Sequence, residues 1–180
     1  SLEIMNEKFN NIFPKIYHLE KKFFIINWIE NNNKRGFISE KDFALKISKI
    51  HLVKGKMFGY DFNTPIGGTE QNCDYEKSWI NFYKIKRLQM VYELINKTKP
   101  MPSDINNGIE KIINNIEKYI PESTNPTLIH GDLWGGNILF NDGKLVGLID
   151  PAIQYADIEF ELSYLIFFNT VSEDFFDYYK

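Results

Sequence analysis

"HGDLWGGNILF", residues 130–140, decides the fold of this chain. It places a His, an Asp, two adjacent glycines and an Asn between an apolar approach, Pro126-Thr127-Leu128-Ile129, and an apolar exit, Ile138-Leu139-Phe140. The exit run and Lys144-Leu145-Val146-Gly147-Leu148-Ile149 flank Asn141-Asp142-Gly143, which is a strong hairpin signal. Asn137 follows Asp132 by five positions, and Asp150 closes the second strand thirteen positions later. A hairpin folds back, so Asp150 can return beside Asn137. Their carboxylate and amide oxygens suit a hard cation such as Mg²⁺, which takes one or two protein ligands and leaves the rest to phosphates and water. Asp132 has no Mg-ligand partner of its own in the motif, and it can orient a hydroxyl and accept its proton. Asp-x4-Asn with a second Asp is the arrangement of kinase-type phosphoryl transfer.

Taken singly, each of these residue types is more often structural. Asn141 and Asp142 read as turn residues, and His130 as a brace of the loop rather than a base. Gly135 and Gly136 could cradle a phosphate, but a tight turn beside the core is the plainer role. Nothing in the chain matches the phosphate loop ending in Gly-Lys-Ser/Thr. It is the joint match of types, spacing and hairpin that points to Asp132, Asn137 and Asp150 as functional.

Working outward, Leu2, Met5 and Phe9 share one helical face. Two short runs rich in β-branched and aromatic residues, Phe13–His18 and Lys22–Ile29, predict strands joined at His18 to Lys21. Glu30 to Gly36 is polar and reads as a linker or hinge. Ser39-Glu40-Lys41-Asp42 resembles an N-cap with an acid three residues on, before a helix carrying Phe43, Ile47 and Ile50 on one stripe. Residues 55–74 read as a long loop rich in Gly, Pro, Asn and Asp. From 75 to 97 the pattern is helical and apolar on nearly every face, which predicts burial among other helices. A further helix is expected over 105–120, ended by Pro121, and others over 157–168 and from about 173.

Composition narrows the class. With 43% hydrophobic residues in 180, a sizeable core is available. A net charge of −3 with scattered signs gives no basic stripe for nucleic acid. No apolar run approaches a membrane span, and no secretory signal is visible. The single Cys73 excludes an internal disulfide and a cysteine-only zinc site. The expectation is a cytoplasmic protein with neither nucleic-acid nor membrane partners.

"HGDLWGGNI" followed by "LIDPAIQYADIEFELSYL" resembles the catalytic core of the fructosamine (ketosamine) kinases, relatives of the aminoglycoside phosphotransferases and choline kinases. "FGYDFNTPIGGTEQNCDYEKSWINFYKIKRLQ" is similar to another segment of that family. The resemblance implies an α+β, protein-kinase-like fold: mainly the α-helical C-terminal lobe with a catalytic-loop hairpin, plus a two-strand remnant of the N-terminal lobe. Residues 1–30 would be that remnant and the hinge strand, and 31–180 the catalytic lobe. It implies Asp132 as the base, and Asn137 and Asp150 as holders of Mg²⁺. Ile26 would stand at the back of the adenine pocket of ATP, with the backbones of Asn27 and Ile29 on the adenine edge. Trp134 would stack on the acceptor sugar or merely pack. The implied reaction is phosphorylation of a sugar hydroxyl on a ketosamine, that is, a glycated amine or protein lysine. An aminoglycoside- or choline-type acceptor and an inactive kinase-like module are the alternatives.

Two departures bear on this. Ala156-Asp157-Ile158-Glu159 stands where the family often has Gly-Asp-Arg-Glu, so one loop-bracing arginine is missing. No Gly-rich run precedes residue 30, and Lys8 lies on a predicted helix rather than a strand. The expectation is a chain truncated at its N-terminus, incomplete at its C-terminus, inactive or weakly active alone, and able to self-associate through an exposed strand edge.

Overall fold

The computed structural model describes residues 1–9, 12–20 and 22–179. In chain order its elements begin with α1 (Leu2–Lys8), β1 (Ile16–Leu19), β2 (Phe24–Ile26) and α2 (Phe37–His51). Next come β3 (Thr64–Ile66), β4 (Thr69–Gln71), α3 (Trp79–Tyr83), a π-helical stretch Lys84–Gln89, α4 (Met90–Thr98) and α5 (Ser103–Asn114). The last part carries β5 (Thr127–Ile129), β6 (Ile138–Asn141), β7 (Lys144–Leu148), β8 (Gln154–Ala156), α6 (Ile158–Phe167) and α7 (Glu173–Tyr178). The mixture of helices with small two-stranded sheets is the α+β class expected from the sequence. Two compact units divide the chain: residues 1–53, 128–153 and 158–180 form the first, and 54–127 with 154–157 the second.

In the first unit β1 and β2 pair antiparallel, Ile16 opposite Ile26 and Leu19 opposite Phe24. Lys21, in the turn that the sequence predicts there, lies outside the described residues. β6 and β7 form the predicted hairpin, with Asp142 and Gly143 both at positive φ in its turn. Helix α2 is the spine of this unit. Its predicted stripe of Phe43, Ile47 and Ile50 is fully buried, and Phe43 meets Phe140 of β6 and Phe175 of α7.

The start of α2 corrects the sequence reading. The helix begins three residues earlier, with Gly36 as N-cap, and Ser39 sits inside the first turn, where its Oγ accepts the Gly36 N–H at 2.8 Å. Asp42 does not complete a cap for Ser39. It accepts the backbone N–H of Leu145 at 2.8 Å and pairs with Lys46, whose Nζ reaches the Leu145 carbonyl at 2.7 Å. One helical turn is thereby stitched to both polar groups of a β7 residue.

In the second unit, residues 55–74 are not a plain loop. They contain the β3–β4 hairpin, turned by Gly67 and Gly68, both at positive φ. The strands are only three residues long and one contains Pro65, so the alternation that marks a strand had no room to show. Helix α3 starts at Ser78, whose hydroxyl accepts from Asn81 N–H, and the Glu122 carboxylate accepts Trp79 N–H at 2.6 Å. The run from α3 to α4 is less buried than its pattern predicts. Trp79 and Phe82 are enclosed, whereas Ile85, Val91, Leu94 and Ile95 are 41–52% exposed. The expected helix over 105–120 ends at Asn114 and tightens into a 3₁₀ turn at Ile116–Lys118.

Candidate active site

β5 delivers His130 into the loop with its side chain fully buried. The ring lies near-parallel to Phe13, with centroids 6.0 Å apart. Burial pushes its pKa down, so the imidazole is neutral. The network then assigns the tautomer: Nε2–H donates to the Ile149 carbonyl at 3.0 Å, and Nδ1 accepts the Asp132 backbone N–H at 3.3 Å. His130 is a brace between the loop and the strand end before Asp150. Gly131 follows at φ +86, and a Cβ there would lie 2.0 Å from the Ala152 carbonyl oxygen. Only glycine fits.

Asp132 is part-buried. Its Oδ2 accepts the Asn137 amide at 3.0 Å, and the Tyr164 hydroxyl stands 3.5 Å from Oδ1. Its pKa is raised, chiefly by burial, against the pull of Asn137, His130 and Tyr164; the nearby Asp150 charge pushes the same way as burial. Asn137 is 6% exposed, and its Nδ2 also bonds the Asp132 carbonyl at 2.8 Å. With its amide hydrogens spent on Asp132, Oδ1 is the atom left for a cation. The Asn137 carbonyl accepts Ile149 N–H at 3.0 Å, which pins the loop to the residue before Asp150. Asp150 is exposed and held at φ +53, a conformation sparsely populated outside glycine. Among the described residues neither Asp132 nor Asp150 pairs with a Lys or Arg. The Asp150 carboxylate and Asn137 Oδ1 are hard oxygen donors of the kind that would suit Mg²⁺.

Gly135 and Gly136 form a 3₁₀ turn with Asn137, and neither needs positive φ. Gly136 is small for another reason: the Trp134 indole folds over it, and a Cβ would meet the ring at 2.5 Å. Trp134 is 42% exposed and lies 5.9 Å from the Phe168 ring, which in turn packs edge-on against Tyr164 at 4.7 Å. The aromatic row therefore runs along the loop to Asp132.

Ile26, Asn27 and Ile29 line a cavity of about 450 Å³ with Pro14, Leu139 and Ile149. Asn27 N–H is spent on the Lys15 carbonyl at 3.1 Å. Gly147 of β7 lies directly beneath Ile29, with space for its Cβ filled by the Ile29 side chain at 2.6 Å. Because Ile149 belongs to the cavity wall, the wall ends where Asp150 begins.

Three further residues escape the sequence reading. Arg35, in the stretch read as a linker, donates to the carbonyls of Thr170 and Gly135 and stacks on Phe140, so it secures the 3₁₀ turn. Tyr164 touches Asp132. Glu161, 1% exposed, accepts the backbone N–H groups of His130 and Gly131 at 3.1 and 2.6 Å. A signal for Glu161 existed: it is an acid three and four positions before Tyr164 and Leu165, on the face of a largely apolar helix that carries them.

The sequence profile of the fructosamine kinase family matches residues 1–180. The chain belongs to the fructosamine kinase family. A protein of Enterococcus faecium named "Probable ketoamine kinase" is 25% identical over 165 residues, covering 89% of this chain and 57% of that relative. The chloroplastic protein-ribulosamine 3-kinase of Oryza sativa subsp. indica is 32% identical over 143 residues, 77% of this chain and 41% of its own length. This member thus spans about half the length of the curated relatives it matches. A crystal structure from Thermobifida fusca YX-ER1, named for fructosamine-3-kinase, superposes with a TM-score of 0.87 at 22% identity over 99% of this chain and 62% of that one. An ADP-bound aminoglycoside phosphotransferase superposes at 0.61, with 16% identity over 99% and 64%. The fold is the protein-kinase-like fold these enzymes share, as the resemblance implies. No described helix is long and apolar enough to cross a membrane.

Proposed function

We propose that this chain carries the catalytic loop of an ATP-dependent kinase that phosphorylates a sugar hydroxyl on a ketosamine. The observation that carries the reading is the Asp132 carboxylate, held by the Asn137 amide at 3.0 Å, while Ile149, the residue before Asp150, lines the cavity formed with Ile26, Asn27 and Ile29. In this reading the cavity takes adenine, with Ile26 behind it. The Asn27 carbonyl accepts from the exocyclic amine, since its N–H is committed elsewhere, and Ile29 N–H donates to the ring. Asn137 Oδ1 and the Asp150 carboxylate would hold Mg²⁺, which when bound would neutralise phosphate charge. Asp132 orients the acceptor hydroxyl and takes its proton as the oxygen attacks the terminal phosphorus. Its raised affinity for protons suits a base that must receive one. Trp134 offers its exposed face to the sugar ring.

The test is ATP consumption by the chain, and by any longer protein that carries it, with fructosamine, aminoglycoside and choline acceptors. Asp132→Ala is expected to lower kcat by roughly 10²–10⁴-fold, with an unchanged circular dichroism spectrum. Preference for an amino alcohol over the ketosamine would overturn the substrate assignment. Turnover untouched by Asp132→Ala would overturn the role of the residue.

A further inference from the structure

Glu161 is the point at which the loop is held, and it does not act alone. Its Oε1 accepts His51 Nε2 at 2.8 Å, and the far nitrogen of that imidazole, Nδ1, lies 2.5 Å from the Tyr179 hydroxyl. His51 is the last residue of α2 and is 3% exposed, while Tyr179 follows α7. The Tyr179 ring stacks on buried Phe175 at 5.6 Å and 17°, and meets His51 edge-on at 5.7 Å. A carboxylate as buried as Glu161 needs every lone pair it exposes to be met. Three donors meet it, His51 Nε2–H and the N–H groups of His130 and Gly131. Among the described residues His51 is the only side chain that pairs with it.

We propose that His51 and Tyr179 are positioning residues for phosphoryl transfer: they fix the Glu161 carboxylate, which fixes the backbone at His130 and Gly131 and so sets where Asp132 stands. The inference rests on Asp132 being the base, as read above. The geometry argues for positioning over simple packing. The donors that Glu161 serves belong to the two residues just before Asp132. Gly131 cannot relax, because the Ala152 carbonyl lies where its Cβ would be. A shift of Gly131 N is therefore passed on to Asp132. One turn further along α6, Tyr164 touches the Asp132 side chain itself. An imidazole suits the central place because its two nitrogens point in opposite directions, one to each partner. In either protonation state Nε2 must carry the hydrogen toward Glu161, and among the described residues the Tyr179 hydroxyl is what holds the ring by its other side.

The test uses Tyr179→Phe, which removes one oxygen and keeps the ring, and His51→Gln, which keeps an N–H donor for Glu161. Steady-state kinetics and amide hydrogen exchange are measured on both. Tyr179→Phe is expected to lower kcat about fivefold, with KM for ATP and acceptor within about twofold. His51→Gln is expected to lower kcat about tenfold. In both, the His130 and Gly131 amides exchange about tenfold faster while core amides of α2, such as that of Ile47, keep their rates. Unchanged exchange at the two loop amides, or exchange that rises equally across α2, would overturn the proposal. If the parent protein transfers no phosphate, the exchange data alone decide the relay, so failure of the kinase reading stays separate from failure of this one.

Discussion

Gly131 and Gly136 stand five residues apart from each other in effect as well as in sequence. Gly131 has a backbone that L side chains rarely adopt and a carbonyl in the way. Gly131→Ala is expected to destabilise the protein by about 3 kcal/mol or more, read as a lower denaturant midpoint; a midpoint equal to the parent's would refute this account of the loop. Gly136 answers only to the Trp134 ring, which can swing away. The titratable residues behind the loop add a pH dependence. Burial lowers the proton affinity of His130 below its ordinary 6.5, and His51 with the loop amides outweigh burial to hold Glu161 below its ordinary 4.5. In both cases the unfolded chain binds the proton first. Stability from His130 is full above pH 6.5 and lost as pH falls through the folded value; for Glu161 the loss starts near 4.5. Asp132, with its raised folded value, works in the opposite sense. Between neutral pH and 4.5 it is His130 that titrates against folding, so Tm is expected to fall as pH drops below 6.5. A flat profile would count against the network.

Among the elements, α2 does the most. It buries Phe43, Ile47 and Ile50 against the hairpin side, ends in His51, and meets β7 through Asp42 and Lys46. Asp42→Ala leaves the Leu145 N–H without its acceptor and Lys46 without its acid. The expected cost is about 1–3 kcal/mol, measured by urea unfolding, and a change within error would show that water replaces the carboxylate freely. Helix α6 is the second organiser. Glu161 and Tyr164, with Phe168 just past its end, follow one another at helical spacing, so they reach the loop backbone, the Asp132 side chain and the Trp134 ring in turn.

At the scale of the molecule, the β1–β2 hairpin exposes Tyr17, Leu19, Phe24 and Ile25 to at least half of their possible area. An apolar, short, two-stranded edge of this kind invites pairing with a second copy. We propose concentration-dependent self-association of the chain. Sedimentation across a hundredfold range of concentration should show it, and Leu19→Lys should weaken it; a monomer throughout would dismiss the idea. Family membership and the kinase-like fold agree across the whole chain, while the comparison proteins are substantially longer. The activity is therefore to be measured in these residues and in any longer protein that carries them.

Much of this protein is written locally. The hairpin, the loop between its strands, the β1–β2 pair and the α2 stripe follow from alternation, helical spacing and turn residues within a few positions of each other. Asp132, Asn137 and Asp150 stood out for the same reason: their spacing, joined to a hairpin, is a local pattern with a mechanism. The residues that hold them in place were beyond that reach. His51, Glu161 and Tyr179 are separated by more than a hundred positions between the first and second, and each looks ordinary where it stands. The start of α2 was displaced because Gly36 and Ser39 exchange the usual capping roles, and β3–β4 was hidden by strands too short to alternate. Sequence spacing encodes what neighbours along the chain can do together. Only folding brings a buried carboxylate to the two amide hydrogens and one imidazole that make its burial affordable, because that partnership depends on distance in space and leaves no period in the sequence.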